Sequence, residues 1–229
     1  SHVVLAARRS SRDHSHARCA GIHWRAQSRR CRTGARRRDC GSHRHEACRM
    51  SNELHLGTGW FGCSVDALRG ARLSSLRVAG RERLVTHSRG ASPTSWGAYP
   101  MVPYAGRVRR GKFHHDGREH QLRLNFGHHA IHGTVFDVSW ATVEQSPTRV
   151  VLVASLGARW PFAGQVTHEI SLNAEQQSVT CTLEVTTSES MPAQVGWHPW
   201  FVRPARLDVY FAEMYVRDAD YIATTQRTP

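Results

Sequence analysis

The residues best suited to chemistry form one short segment, Trp197-His198-Pro199-Trp200-Phe201. Histidine is the side chain that titrates nearest to neutral pH, so His198 can donate or accept a proton there. The proline restricts the backbone of the residue before it, and flanking aromatic rings are typical of the walls of small-molecule sites. The segment therefore predicts a positioned proton donor beside a stacking surface. A buried histidine at a strand end in an aromatic core is the alternative that the local sequence leaves open.

Three further segments place polar groups among aromatic residues. Arg107 follows a glycine in segment 99–108, where two prolines argue against a central strand, although a plain surface arginine is also consistent. His132 is the third histidine within five residues, which raises the question of a metal. Two of the three are adjacent and no carboxylate completes a ligand set, so we predict no metal there. Trp160 lies in a third aromatic loop, residues 159–164.

The positive charge of the chain is concentrated at its N-terminus. The 229 residues include 31 Lys or Arg and 18 Asp or Glu, for a net charge of +13. Residues 1–49 hold 13 arginines and three acidic residues, whereas the remainder holds 18 basic and 15 acidic residues. Because the body is nearly balanced, we expect no nucleic-acid partner for it. Two isolated cysteines in the body and no long apolar run predict a cytoplasmic protein without a membrane association.

Residues 1–49 differ in composition from the rest of the chain. They are rich in Arg, Ser, His and Cys and lack a sustained apolar period, so we expect them to take no part in a core. Four potential zinc ligands fall within nine residues: Cys40, His43, His45 and Cys48. The second cysteine pair of a zinc module is missing, and a basic nucleic-acid-binding arm is another interpretation. We favour a third, in which the native protein begins at Met50.

The body, residues 50–229, is predicted to be all-β. Asp116-Gly117 and Gly80 each separate two short strands and indicate hairpins. Residues 178–187 alternate between apolar and polar side chains, as in a half-buried strand. No convincing helical period occurs, so a large antiparallel β-sandwich is the expected architecture. Strands are expected at 73–78, 83–86, 112–115, 120–124, 136–143, 150–156, 165–172, 178–187, 195–201 and 207–211.

Taken in order, these segments resemble the aldose 1-epimerase (galactose mutarotase) family over about residues 65–227. One departure is Gly106, where the family commonly has asparagine. Each motif is weak by itself, but four in the right order on an all-β chain make a specific match. The matching residues are Pro100, Pro103-Tyr104-Ala105-Gly106-Arg107-Val108, Gly111, Phe113, Asn125, Ile131-His132-Gly133, Trp140, Trp160-Pro161-Phe162-Ala163-Gly164 and His198-Pro199-Trp200-Phe201.

The resemblance implies a galactose mutarotase-like supersandwich that interconverts the α and β anomers of a free hexose without a cofactor. By the same resemblance, His198 is the general acid that protonates the ring oxygen. His132 and Arg107 hold sugar oxygens, and Trp160 lines the substrate site. Mutarotation needs an acid at the ring oxygen and a base at the anomeric hydroxyl, so positioning and proton transfer suffice without a metal or nucleotide.

The resemblance also implies that the general base is not present in this chain. In the family the base is a glutamate on a strand well downstream of the histidine-proline motif. Glu213 is the only glutamate after His198 and lies too early, and residues 217–222 resemble the middle of the family pattern. We therefore expect an incomplete sandwich that lacks its C-terminal strands. Two alternatives remain: a sugar-binding protein without turnover, and a hexose-phosphate epimerase that uses Arg109 and Arg110 to hold phosphate.

Overall fold

The computed structural model describes residues 3–5, 16–25, 53–205, 207–209 and 213–228, and for 3–5, 16–25 and 207–209 it describes the backbone alone. None of these segments forms a helix with the length and apolar character that a bilayer crossing requires. In chain order the strands are β1 Val3–Leu5, β2 His16–Arg25, β3 Glu53–Gly57, β4 Phe61–Asp66, β5 Arg72–Val78, β6 Arg81–Glu82, β7 Ala98–Met101, β8 Arg107–Val108, β9 Lys112–His115, β10 Arg118–Gln121, β11 Ala130–Ile131, β12 Ala141–Gln145, β13 Arg149–Ser155, β14 Gly164–Asn173, β15 Ser178–Thr187, β16 Gly196–Pro199, β17 Leu207–Val209, β18 Met214–Arg217 and β19 Ala223–Thr228. Single 3-10 turns lie at Ala67–Arg69 and Arg109–Gly111.

Two antiparallel sheets contain most of the strand residues of the described chain. One has the strand order β16-β7-β5-β4-β3, with β6 paired to β5, and the other has the order β12-β13-β14-β15-β2. Apolar side chains from both sheets form one buried cluster, with Val65 and Leu73 from the first and Leu152, Ile170 and Leu183 from the second. The predicted all-β antiparallel sandwich is confirmed.

Strand β15 shows the alternation that the sequence predicts. Its apolar residues Val179, Cys181, Leu183 and Val185 are at most 2% exposed. Thr182, which points to the other face, is exposed. A period of two places alternate side chains on opposite faces of a sheet, so one face of β15 meets the core.

The Asp116-Gly117 hairpin is also confirmed. It joins β9 to β10, and His115 and Arg118 are partners across the turn. Asp116 has φ 48° and Gly117 has φ 73°, both in the left-handed region. Two successive positive φ values are what a two-residue type I′ turn requires, and Asp-Gly meets that requirement at low cost.

The prediction that segment 99–108 contains no central strand is wrong. Strand β7 lies between β16 and β5 and includes Pro100. On the β5 side, only Leu73 and Ala98 are partners. Because that ladder ends before the proline, the missing N–H of Pro100 removes no hydrogen bond from it.

Strand β12 begins later than predicted. The sequence predicts a strand over 136–143, but the ordered pairing with β13 starts at Ala141. Phe136 and Trp140 are buried outside any strand, and the indole N–H of Trp140 donates to the Val135 carbonyl at 3.0 Å. These two apolar residues are buried although they lie outside a strand. An apolar run in the sequence does not distinguish such a segment from a buried strand.

Two pieces of the N-terminal segment form strands that the sequence does not predict. β2 pairs with the outer edge of β15, from Arg25 opposite Ser178 to His16 opposite Thr186, and β1 pairs with β17. A sheet edge offers unpaired backbone groups to any extended segment, whatever its side chains. The domain boundary near Met50 stays a prediction, and both Met50 and the possible zinc ligands at 40–48 lie outside the described residues.

Candidate active site

Strand pairing places His198 against a buried tyrosine. In the β16–β7 ladder, His198 is the partner of Tyr99. Their rings stack with centroids 5.1 Å apart and planes within 4°. Trp200 also stacks on His198, at 5.4 Å and 29°. Two aromatic contacts therefore fix the orientation of the His198 ring, which is only partly buried.

A second ladder brings His132 to the same place. β11 pairs with β8, where Ile131 is the partner of Arg107. The next residue, His132, donates its backbone N–H to the Gly106 carbonyl at 3.0 Å. The His132 ring lies 5.1 Å from the His198 ring in an edge-on arrangement. Arg107, His132 and His198 are thus brought together from three strands or strand ends.

The backbone at His132 is strained in a way that Gly133 makes possible. His132 has φ 63°, a left-handed value that only a few per cent of non-glycine residues adopt, histidine more often than most. Gly133 has φ 82°, and a Cβ there would lie 2.0 Å from the Val102 carbonyl oxygen. The Thr134 N–H donates to that same carbonyl at 2.8 Å. This close approach of two backbones aims the His132 side chain at His198.

Asn125 holds the strand that precedes His132. Its Oδ1 accepts from the Ile131 N–H at 2.7 Å, and its Nδ2 donates to the Ile131 carbonyl at 3.1 Å. A side-chain amide that satisfies both backbone groups of one residue acts as a short substitute for a neighbouring strand. Asn125 therefore fixes the position from which His132 leaves β11.

Both histidines favour the neutral form. Burial lowers the pKa of His132 to about 4, and the nearby His198 and Arg107 act in the same direction. Burial also lowers the pKa of His198 below its ordinary value. The Nδ1 atoms of both rings are buried and have no hydrogen-bond partner among the described residues. Buried polar atoms are normally paired, so these two nitrogens are exceptions within the described region, and they are closed off from solvent.

A buried arginine supports the site from behind. Arg72 is 0% exposed, and its guanidinium donates to the carbonyls of Arg69, Pro93, Trp96 and Phe136 at 2.7 to 3.1 Å. Its Cζ also lies 4.2 Å from the Trp96 ring centroid and 5.1 Å from that of Tyr99. Burial lowers the pKa of Arg72 to about 10, so it stays charged at neutral pH. Four carbonyl acceptors replace water around that charge. The guanidinium that they hold contacts the Tyr99 ring on which His198 stacks.

Arg107 lies against two exposed aromatic rings. Its Cζ is 5.1 Å from the Phe126 ring centroid and 5.4 Å from that of Tyr221. One guanidinium nitrogen donates to the Tyr221 carbonyl at 3.4 Å. A guanidinium carries five N–H donors, so donors remain for a ligand.

Trp160 occupies a different position from the two histidines. It is 5% exposed and stacks on Phe113 at 5.2 Å, and its indole N–H donates to the Met191 sulfur at 3.2 Å. Its ring also contacts Tyr104 at 5.8 Å. The substrate contact expected of Trp160 stays a prediction, and the described contacts place it behind Tyr104.

The three neighbouring histidines of segment 128–132 diverge in the structure. His129 Nδ1 accepts from the Arg110 backbone N–H at 3.2 Å, and its Nε2 lies 3.9 Å from Asp220. His132 faces His198 instead. Over the part of the chain that the structure describes, no three His, Cys, Asp or Glu side chains are grouped to hold a metal ion.

Among the cavities of the described region, two differ in their position relative to the histidines. One of about 310 Å³ adjoins the site, because Ile131 and Gly133 on either side of His132 line it together with Tyr104 and Phe126. A larger one of about 780 Å³ covers the outer faces of β3, β4 and β5. It is remote from the histidines, and polar groups there are bonded to each other, as His55 is to Ser64 at 2.8 Å. The smaller cavity therefore lies beside the histidine pair, but neither His132 nor His198 lines it.

Sequence reasoning missed Tyr99, Phe126 and Tyr221 as members of this site. Tyr99 contacts His198 through a ladder that joins residues about one hundred positions apart. Tyr221 reaches Arg107 over a similar separation. Pairing between distant strands leaves no local sequence signal, and only a family pattern that included these residues would have found them.

The fold and the paired histidines define a β-sandwich protein of the galactose mutarotase-like class. Residues 62–227 match the family model for aldose 1-epimerase, so the chain belongs to the aldose 1-epimerase family. The recognition made from the motifs is thereby confirmed.

Individual relatives agree with that family. The chain is 31% identical over 110 residues to the uncharacterized protein YphB and 30% identical over 138 residues to the uncharacterized protein YihR, both of Escherichia coli K12. These matches cover 47% and 57% of this chain but 38% and 44% of the relatives. The chain thus spans less than half the length of these curated relatives.

Solved structures show the same fold. A putative aldose 1-epimerase from Escherichia coli K12 superposes with a TM-score of 0.64 at 23% identity, over 77% of this chain and 61% of that one. A GalM/aldose epimerase homologue from C. elegans gives 0.67 at 13% identity, over 76% and 60%.

Proposed function

We propose that this chain acts on a free hexose and interconverts its α and β anomers by opening and reclosing the ring. The observation that carries the proposal is the pair of facing imidazoles, His132 and His198, with Arg107 close enough to lower the pKa of His132. Family membership supports the reaction class.

His198 is the general acid in this proposal. It protonates the ring oxygen as the C1–O5 bond breaks, while a base to which we assign no residue takes the proton of the anomeric hydroxyl, which becomes a carbonyl. Rotation about C1–C2 then presents the other face of the carbonyl. Reclosure reverses both proton transfers, returns the ring-oxygen proton to His198 and gives the other anomer. Stacking on Tyr99 and Trp200 holds the donor nitrogen in place, which reduces the entropy lost in reaching the transition state.

His132 and Arg107 hold the sugar. Both supply N–H donors at neutral pH, the neutral imidazole one and the guanidinium several. Trp160 contributes from behind Tyr104, as part of the aromatic wall. The reaction also needs a base for the anomeric hydroxyl proton, and our sequence reasoning assigns no residue of this chain to that role. The acid half of the chemistry is therefore what we assign here.

Exchange spectroscopy by NMR on equilibrated glucose or galactose tests this proposal. We expect any anomer exchange above the buffer rate to depend on His198, so His198→Gln should lower the catalysed rate by about 10²-fold or more. His114→Gln is the matched control, because His114 is a 71% exposed histidine on β9. Equal rates for the protein, for His198→Gln and for buffer, together with no hexose binding, would sink the proposal.

A sugar-binding protein without turnover is the second candidate. The unassigned general base favours it, because a pocket can bind sugar without that group. It predicts saturable hexose binding that His132→Ala weakens, with no acceleration of exchange. Titration and exchange measured on the same sample separate the two candidates.

One of the two arginines proposed to hold phosphate, Arg109, is already engaged by carboxylates, whereas no such pairing is described for Arg110. Arg109 is paired with the carboxylates of Asp218 and Asp220, the latter at 2.8 Å. A guanidinium already neutralised by two carboxylates attracts phosphate weakly. We expect glucose 6-phosphate to be no better a substrate than glucose, which paired rate measurements would check.

A further inference from the structure

Arg107 is contacted by Tyr221, a residue near the C-terminal end of the described chain. Tyr221 offers it two separate contacts, the ring at 5.4 Å from Cζ and the backbone carbonyl at 3.4 Å from a guanidinium nitrogen. Phe126 provides a second ring at 5.1 Å. Tyr221 is 63% exposed, so packing in the core does not explain its position.

Asp218 builds the turn that carries Tyr221. Its Oδ1 accepts from the Asp220 N–H at 2.9 Å and from the Ile222 N–H at 3.0 Å. Its backbone carbonyl accepts from the Tyr221 N–H at 3.0 Å. Tyr221 has φ 59° in this turn, a left-handed value that a tyrosine adopts only when its surroundings impose it. Asp218 therefore stabilises this conformation of the turn between β18 and β19.

The same aspartate ties the turn to the strand of Arg107. Its second carboxylate oxygen pairs with Arg109, which also pairs with Asp220 at 2.8 Å. Arg109 is two residues after Arg107, so the ion pairs and the Tyr221 contacts act on one short stretch of backbone. We call the turn 218–222, with these ion pairs, the latch.

We propose that Tyr221 is the positioning residue for Arg107 and that the latch holds Tyr221 in place. The expected effect on sugar binding rests on the proposed function, whereas the placement of Arg107 does not. A guanidinium is attracted to the face of an aromatic ring and keeps its N–H donors in its own plane. Contact with the two rings thus fixes that plane and directs the remaining donors at the site. An Arg107 without Tyr221 samples other rotamers, which weakens sugar binding more than it slows the chemical step.

The chain offers matched variants. Tyr221→Leu removes the ring, and Tyr221→Phe retains it. Tyr215→Leu is the control, because Tyr215 is an exposed tyrosine on the same hairpin whose ring contacts Arg227 and not Arg107. Asp218→Asn keeps an oxygen for the turn but removes the ion pair, whereas Asp218→Ala removes both.

Two readouts are needed. The first is the NMR spectrum of the Arg107 side chain, assigned by Arg107→Lys, because ring currents shift its Hδ and Hε signals while the rings are in contact. The second is the hexose Kd together with KM and kcat for anomer exchange. Tyr221→Leu should move the Arg107 signals toward random-coil positions and raise Kd and KM by about 3- to 10-fold, with kcat changed less than about 2-fold.

Tyr221→Phe and Tyr215→Leu should resemble the parent protein in both readouts. Asp218→Asn should give Arg107 signals and a hexose Kd between those of the parent and of Asp218→Ala. Added salt should weaken hexose binding more in the parent than in Asp218→Asn. Unchanged Arg107 signals in Tyr221→Leu, or an equal effect of Tyr215→Leu, would overturn the proposal. If the parent protein shows no hexose binding or exchange, the proposed function fails, and the Arg107 signals alone decide whether Tyr221 positions that residue.

Discussion

Among the individual residues, two neutral histidines in ring contact are the central feature. Each is held by a different element, and burial lowers the pKa of both. A lowered pKa makes the protonated form of His198 rarer at neutral pH but a stronger acid when it is present. Protonation of both rings at once is unfavourable at this separation, so the pair carries at most one proton in the working range.

The pH dependence of catalysis follows from that burial. Loss of the proton from His198 should produce a basic limb in kcat/KM whose apparent pKa lies below 6.5, the ordinary histidine value. The catalysed rate should therefore rise as pH falls from 8 toward 6. The groups that face the ring are His132, Tyr99 and Trp200, and burial raises the pKa of Tyr99 so that it stays neutral throughout. Exchange rates corrected for buffer between pH 5 and 8 check this, and a limb above 6.5 would contradict it.

Among the structural elements, the site depends on a junction between β7 and β11. Val102, just beyond β7, forms a bridge to Gly133, just beyond β11. This bridge sets the distance between the ladder that carries His198 and the ladder that carries His132. The relative position of His132 and His198 therefore depends on this one backbone contact.

Gly133→Ala should break that junction. An added Cβ would meet the Val102 carbonyl at 2.0 Å in a left-handed conformation, so we expect a loss of roughly 3 kcal/mol or more in the free energy of unfolding. Gly106→Ala is the matched control, because Gly106 has φ 76° but no neighbouring atom within 4 Å of the position that a Cβ would take. It should cost about 1 to 2 kcal/mol, the left-handed penalty alone. Urea denaturation of both variants measures the difference, and equal losses would contradict the role of the bridge.

Strand β16 is anchored by a buried histidine on the opposite sheet. The Trp197 indole N–H donates to His168 Nε2 at 3.1 Å, and His168 Nδ1 donates to the Ala71 carbonyl at 3.1 Å. One nitrogen must accept and the other must donate, so only the neutral ring satisfies both partners. His168 is 0% exposed, and burial lowers its pKa to about 4.

For the molecule as a whole, His168 predicts a loss of stability in acid. The pKa falls from 6.5 to about 4 on folding, so the unfolded chain binds the extra proton between these values. Stability is therefore full above pH 6.5 and decreases as pH falls toward 4, by about 1.4 kcal/mol per pH unit from this residue. His132 acts in the same direction.

His168→Gln tests that prediction. Glutamine can accept from Trp197 and donate to Ala71 but binds no proton in this range, so the stability of the variant should decrease less steeply below pH 6.5. Urea unfolding at pH 7, 6, 5 and 4.5 provides the measurement. Parallel curves for the two proteins would show that His168 does not take up the proton.

Local features of the chain were enough to predict the class of fold and the groups suited to chemistry. Alternation in β15 and the Asp116-Gly117 turn depend on neighbours in sequence, and local rules govern both. The ordered motifs were enough to recognise the family, and they named Arg107, His132 and His198. The strand and the turn could be predicted because each is encoded within about ten residues, and the family because its short motifs occur in a fixed order along the chain.

How those groups meet depends on the three-dimensional packing of the chain. The stacking of His198 on Tyr99, the contact of Arg107 with Tyr221 and the strand at Pro100 all arise from pairing between distant segments. Composition also carried no sign that residues 16–25 pair with β15. Strand pairing is made by backbone groups that every residue carries, so its partners are selected by the packing of the whole sandwich and not by any one segment.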